Sequence, residues 1–401
     1  MTADRAADEA GCEPLPYEPL RDRPRKGRGA LSNRAGRFEA LSTVRIDDGW
    51  APAARADGIA PLPGDASPAD TDDDLPPLAT TVTNDTSRSV IARNTSPDIG
   101  FDRSINPYRG CEHGCVYCFA RPTHAFLGLS PGLDFETRLF AKPDAAALLR
   151  RELAAPRYVP KTIAMGTNTD PYQPVERRLK ITRSILEVLS EHRHPVSIVT
   201  KSATVARDID ILAPMAAEGL ASVALSVTTC DAGLARALEP RAATPQRRLA
   251  TIEALARAGI PVTVMVAPVI PGLTDHELEA ILIRARNAGA THAGYIVLRL
   301  PRELRDLFGE WLDAHAPDRK RRVLQRIREM RSGDLYQAQF GERMKGTGPA
   351  AELLATRFRL ACRRLGYAAS KPALDTSRFR RPGDFAGTPA KQKLHQLELF
   401  G

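Results

Sequence analysis

The sequence predicts an α/β fold built from repeated β–helix–β units, a partial (β/α)6 barrel of the TIM-like type, and three observations predict it. Short apolar runs of strand length recur through the middle of the 401-residue chain, at Thr162–Met165, Val196–Thr200, Ser222–Ser226, Val262–Val266 and Tyr295–Leu298. Segments with an apolar period near 3.6 separate them, so each strand is followed by a helix, as a parallel sheet requires. Polar residues follow directly on several strands, at Gly166–Asp170, Lys201–Ser202, Ser226–Cys230 and Pro271–Thr274. Periodicity by itself admits a doubly wound open sheet as well. Residues at the C-terminal ends of barrel strands converge on one mouth, which is where chemistry collects in such folds.

The helices carry their own start and stop signals. Ile181, Ile185, Val188 and Leu189 fall on one face of the first. The next starts at Thr244 with Pro245 in the first turn and ends near Gly259. Thr274-Asp-His-Glu277 reads as a capping box ahead of Leu278, Ile281, Leu282 and Ala285, with Gly289 as terminator. One more strand near the cysteines would bring the barrel to six.

The flanks differ in composition. Residues 1–95, rich in Pro, Asp, Ala and Gly, read as a largely disordered arm, because such segments bury too little surface to offset their ordering entropy. Two pieces of it can dock, the basic Gly27–Gly36 and the β-rich Ala79–Val82 with Ser89–Ala92. Residues 96–300 form the core, 301–370 a basic helical extension, and 371–401 a flexible tail. The net charge of +9 is concentrated at the end: from Arg319 onward there are 19 Lys and Arg against 7 Asp and Glu. Such a stretch can contact phosphates of nucleic acid. No run of about 18 apolar residues exists, which excludes a transmembrane helix. The N-terminus lacks an apolar leader, and the expected location is cytoplasmic.

The six cysteines are not a disulfide framework. Cys12, Cys230 and Cys362 are scattered, and the other three fall in Arg109-Gly-Cys-Glu-His-Gly-Cys-Val-Tyr-Cys-Phe119. A structural zinc site closes its shell with four protein ligands. Three cysteines in a C-x3-C-x2-C run instead suit an iron–sulfur cluster with one iron left open. A zinc site completed by His113 or His124, in a non-catalytic nucleic-acid-binding adaptor, is the alternative from another class. The glycines at 110 and 114 fit a loop that must turn tightly.

This run, with Tyr117 before its last cysteine, resembles the signature of the radical S-adenosylmethionine (radical SAM) superfamily. The stretch from Cys111 to Arg121, Asp102–Tyr108, the Thr-Asn-Thr-Asp-Pro turn at 167–171 and the strand ends Val-Thr-Lys201 and Ser226-Val-Thr narrow the likeness to a spore-photoproduct-lyase-like branch. The resemblance implies a 4Fe–4S cluster on Cys111, Cys115 and Cys118, with S-adenosylmethionine (SAM) at the open iron. Reductive cleavage of SAM to a 5′-deoxyadenosyl radical would follow, with flavodoxin or ferredoxin as electron donor.

It also implies roles for individual residues. Tyr117 would lie near the adenine, and Thr167, Asn168 and Asp170 would accept from the methionyl amino group. Lys201 would pair with the SAM carboxylate, with Ser226 nearby, and Glu239 and Arg241 would assist at ribose or carboxylate. Ile270, in Pro268-Val-Ile-Pro-Gly-Leu-Thr-Asp275, would lie against the adenine. The lyases carry a cysteine near the end of the second strand, and Met165–Asp170 has none. The resemblance therefore implies the radical generator without that repair reaction. Cys230, Tyr172 and Tyr295 are candidate hydrogen donors. The expected target is nucleic acid, with damaged DNA the example that the branch suggests and RNA, protein or a small molecule as the alternatives. The final Gln396-Leu397-Glu-Leu399-Phe400 resembles peptides that dock on the bacterial DNA sliding clamp.

Overall fold

The computed structural model describes residues 24–39, 78–370 and 373–381. The clamp-like peptide at Gln396–Phe400 lies outside them. Among the described residues ten strands form two sheets: β1 (Thr81–Asn84), β2 (Ala92–Arg93), β3 (Arg103–Ile105), β4 (Tyr108–Arg109), β5 (Arg138–Ala141), β6 (Ile163–Met165), β7 (Val196–Thr200), β8 (Ala221–Ser226), β9 (Val262–Val269) and β10 (His292–Val297). The larger sheet has the order β10-β9-β8-β7-β6-β3-β2. Its members from β3 to β10 pair in parallel, and β2 is an antiparallel edge. Six parallel strands with helical crossovers are a partial (β/α)6 barrel. The small sheet, β1-β5-β4, supports the cysteine run that follows β4.

Alternation explains the core. In β7, Val196, Ile198 and Thr200 are buried while Ser197 and Val199 are less so. The helix Ile181–Glu191 lays its predicted face on the sheet, adding Leu186. The Thr244 hydroxyl accepts from Arg247 N and caps Pro245–Arg257 as expected. The capping box at Thr274 does not form. A 3-10 turn, Asp275–Glu277, precedes the helix Leu278–Asn287, and the Thr274 hydroxyl accepts from Ile270 N instead. Glu277 accepts from Thr229 and from Cys230 N, because the preceding strand end brings those donors closer than its own helix start does.

The extension is helical, at Leu304–His315, Pro317–Glu329 and Gly348–Leu365. Phe308, Trp311, Val323 and Ile327 join Val116 and Tyr117 in one apolar cluster, so this extension covers the back of the cysteine run. Within the arm, residues 24–39 and 78–95 take part in the fold, and they contain the two pieces expected to dock. One expectation for the flanks is corrected. Within the supposed tail, Phe379 packs 5.6 Å from the Tyr158 ring and 5.5 Å from that of His194. Among the described residues no helix is long and apolar enough to cross a membrane.

His194 makes the fold sensitive to acid. It is fully buried, with Nε2 2.7 Å from the Tyr158 hydroxyl and Nδ1 3.1 Å from Pro195 O. Those partners suit a neutral ring that accepts from Tyr158 and donates to the carbonyl. Burial holds its pKa down to about 4. The unfolded chain therefore binds this proton first, starting near pH 6.5. Stability is full above that value and falls, by about 1.4 kcal/mol per pH unit from this group, as pH drops toward the folded value. Chemical denaturation between pH 7 and 4 should show that His194→Gln flattens this acid limb; an unchanged slope would assign it to other groups.

Candidate active site

The cysteine run is shaped by backbone contacts. Cys111 N donates to Phe135 O at 2.8 Å and Cys118 N to Cys115 O at 3.2 Å. Gly114 has φ +68°, and its carbonyl lies where a Cβ on Gly29 would sit, 1.7 Å away, so only glycine fits at 29. Arg121, fully buried, donates to Cys115 O at 2.9 Å, Gly114 O at 3.2 Å, Pro131 O at 3.1 Å and Gly132 O at 2.9 Å. Its remaining partner is the buried Glu136 carboxylate. Glu136 also accepts from Gly29 N at 3.0 Å and Ala30 N at 2.8 Å, which fastens the N-terminal segment over the loop.

The three cysteines line one cavity with Tyr117, Asn168, Asp170, Lys201 and Ser226. Asn168 and Asp170 follow β6, Lys201 follows β7 and Ser226 ends β8. The strand ends thus converge on the cysteines. Asp170 is largely enclosed by donors. One oxygen accepts from Tyr172 N at 2.8 Å and the Thr200 hydroxyl at 2.7 Å; the other accepts from Lys201 N at 2.8 Å and faces His113 Nδ1 at 3.3 Å. Burial alone would raise its pKa, but His113 and these hydrogen bonds outweigh it and hold the carboxyl below its usual range. Burial lowers the Lys201 pKa, opposed by Cys115, Asp170 and Cys118. Its ammonium reaches Ala267 O at 3.1 Å.

Other predicted residues stand behind this wall or away from it. Glu239 is buried and accepts from the Tyr117 hydroxyl, from Arg248 and, at 2.6 Å, from Thr228. It thereby fixes the Tyr117 ring without lining the cavity. Arg241 pairs with Glu112 at 3.0 Å. Ile270 is buried in the apolar cluster that contains Tyr117. Neither Ile270 nor Thr167 lines the cavity, and neither do Cys230, Tyr172 and Tyr295. Cys230 is half-buried against the main core, and Tyr295 packs on Phe358 at 4.7 Å. The cavity includes three side chains that the sequence reading did not assign: His113 as a cavity residue, Phe119 and Arg299. Arg299 stands two residues after the sixth barrel strand, a strand-end position like that of Lys201.

The donor set fits an iron–sulfur cluster. Burial pushes the Cys111, Cys115 and Cys118 thiols up, so these thiols ionise only against strong positive charge. Iron supplies that charge. Among the described residues no three His, Cys, Asp or Glu side chains could hold one metal ion.

A parallel-stranded partial barrel with three cysteines at its mouth defines a class of cluster-containing enzymes. The sequence pattern of the radical SAM superfamily matches residues 105–285, and the chain belongs to that superfamily. Enzymes of the family use a 4Fe–4S cluster and SAM. An uncharacterised protein of Mycobacterium tuberculosis is 40% identical over 264 residues, covering 65% of this chain and 76% of that relative. An uncharacterised protein of Methanocaldococcus jannaschii is 28% identical over 173 residues, 43% of this chain and 62% of the relative. Among solved structures, spore photoproduct lyase complexed with dinucleoside spore photoproduct overlays with a TM-score of 0.51 at 14% identity, over 71% of this chain and 80% of that one. That likeness is one of fold.

Removing one partner of a buried ion pair leaves an uncompensated charge and costs about 3–5 kcal/mol. Glu136→Ala should therefore lower the melting temperature and the iron retained per chain after anaerobic reconstitution. Normal iron content with normal stability would show that the Arg121 pair does not organise the loop.

Proposed function

We propose that this protein is a radical SAM enzyme that holds its cluster on Cys111, Cys115 and Cys118 and acts on nucleic acid. The observation that carries the first part is the single cavity shared by the three cysteines, Asn168, Lys201, Ser226 and Tyr117. The thiolates would hold three irons and leave the fourth for the amino and carboxylate groups of SAM. When bound, the pair supplies one-electron cleavage of the sulfonium and hydrogen-atom abstraction, with the electron coming from a donor such as flavodoxin or ferredoxin.

The chain's own residues do the positioning. Asn168 offers a side-chain acceptor toward the amino group, beside Asp170, whose oxygens are engaged by protein donors. Asp170 thereby fixes the backbone of Lys201, leaving its ammonium for the carboxylate. Glu239 holds the Tyr117 hydroxyl, so the ring keeps one orientation at the adenine side. The role of Arg241 is to tie Glu112, next to the first cysteine, to the loop after Glu239. The apolar packing of Ile270 and Leu273 behind Tyr117 excludes water from that side.

Nucleic acid as target is supported by the exposed Arg319, Arg321, Arg322, Arg326 and Arg328 on the helix Pro317–Glu329. The solved lyase with a dinucleoside photoproduct shares the fold and adds to that support. No cysteine from the second strand enters the cavity, so the hydrogen donor differs from the lyases' or is lacking.

Incubation of the reconstituted protein with SAM and a strong reductant should release 5′-deoxyadenosine, and Cys115→Ala should abolish the release. Zinc binding with no SAM cleavage would overturn the reading. Replacing Arg319, Arg321 and Arg328 by Gln should weaken binding of an unlabelled-sequence DNA duplex. The salt slope should fall by about 0.9 for each lost phosphate contact. An unchanged slope would place the nucleic acid elsewhere.

A further inference from the structure

Arg299 and Phe119 form part of the cavity wall that the cofactor assignment does not use. The Arg299 guanidinium carbon lies 4.5 Å from the centre of the Phe119 ring. Two more arginines stand close by. Arg343 is held by Asp98 through bonds of 2.7 Å and 2.6 Å. Arg331 is buried and donates to the carbonyls of Val297, Leu298, Glu342 and Arg343. Asp98 is thus committed to Arg343. Arg299 has no carboxylate or carbonyl partner among the described residues, and burial followed by the Arg343 charge disfavours its charged form.

Arg299 is half-buried, so water in the open cavity can meet its five donors, and a ligand that displaces that water must supply an acceptor in its place. The acceptor that fits a planar fork is an oxyanion. Beside it, the Phe119 ring is 43% exposed although it belongs to the cavity, which leaves an apolar face available for stacking. An anion socket next to an aromatic face matches a nucleotide: a phosphate for the guanidinium and a base for the ring.

We propose that Arg299 and Phe119 form a substrate subsite that takes a phosphate and the adjacent base of a nucleic-acid strand. The occupant rests on the nucleic-acid reading above. The SAM carboxylate is the other source of an oxyanion in this cavity. Lys201 already answers that carboxylate from β7, three strands away from β10.

The test uses the full-length reconstituted protein, with iron content and melting temperature as controls for folding. A fluorescein-labelled dT10 strand, the same strand with an uncharged methylphosphonate backbone, and inorganic pyrophosphate are the probes, and SAM affinity is measured in parallel. Arg299→Met should weaken dT10 binding about tenfold or more, since bonds to charged groups are strong ones. Arg299→Lys should recover part of that loss, and Phe119→Leu should weaken binding without changing the difference between the charged and uncharged strands. SAM affinity should stay at the wild-type value.

Equal dT10 binding by wild type and Arg299→Met would overturn the subsite while leaving the nucleic-acid reading intact. A loss of SAM affinity in Arg299→Met would overturn it in favour of the cofactor carboxylate. If the wild type binds no strand, but binds pyrophosphate in a way that depends on Arg299, the phosphate site stands and the nucleic-acid reading fails.

Discussion

The buried pair of Arg121 and Glu136 is the constraint on which the site depends. Both side chains are fully enclosed, and every donor of Arg121 is engaged by the Gly114 and Cys115 carbonyls of the cysteine loop, by the carbonyls of Pro131 and Gly132, or by Glu136. Desolvating two charges is costly, so such a pair adds little net stability compared with an apolar replacement. Its effect is geometric. Carbonyl oxygens at Gly114 and Cys115 that would otherwise turn toward solvent are aimed at one guanidinium, and the thiols are left facing the cavity. Glu136 then accepts Gly29 N and Ala30 N, so the N-terminal segment closes only over a correctly formed loop. The same segment reaches the extension, with Ser32 donating to Glu310 at 2.7 Å and Arg37 pairing with Glu303 at 2.9 Å. The loop is therefore clamped from both ends of the chain.

The cavity wall shows the same economy of charge. Asp170, Lys201 and Glu239 lie in surroundings where an isolated charge would be unfavourable. Each is matched: Asp170 by His113 and three hydrogen-bond donors, Glu239 by Arg248, Tyr117 and Thr228, and Lys201 by Ala267 O with Glu239 at 3.9 Å. Asp170 and Glu239, so partnered, keep fixed positions before any ligand arrives, as electrostatic preorganisation requires, while the Lys201 ammonium keeps donors to spare. Tyr117 illustrates the consequence. Its ring faces the cavity, while its hydroxyl is held from behind.

Much of this was legible in the sequence, for identifiable reasons. Strand positions followed from the short apolar runs, and the rule that strand ends converge on one mouth brought the segments of Asn168, Lys201 and Ser226 together, while the cofactor roles of these three came only from the family resemblance. Local rules failed where a distant partner won. Thr274 and Glu277 have the spacing of a capping box, yet both bond to residues outside their helix start. Glu239 reads as a ligand-binding carboxylate until its neighbours Arg248 and Thr228 are seen. The basic Gly27–Gly36 reads as a piece that can dock, yet nothing local reveals that Gly29 N and Ala30 N meet a carboxylate more than 100 residues away. Long-range polar pairing leaves no periodic trace in sequence.

The two sides of the cavity differ in how complete they are. On the side of β6, β7 and β8, the charged Asp170 and Lys201 have protein partners, and the neutral Asn168 and Ser226 line the wall beside them. This side resembles a finished frame for a ligand of fixed shape. On the side of β10, Arg299 and Phe119 face the cavity with no acceptor for the guanidinium among the described residues. A cofactor common to a whole superfamily suits a finished frame, whereas the specific substrate must bring what its side lacks. Arg331 and Arg343 are already engaged, by four carbonyls and by Asp98, so on that side the guanidinium of Arg299 is the one left for a substrate to meet.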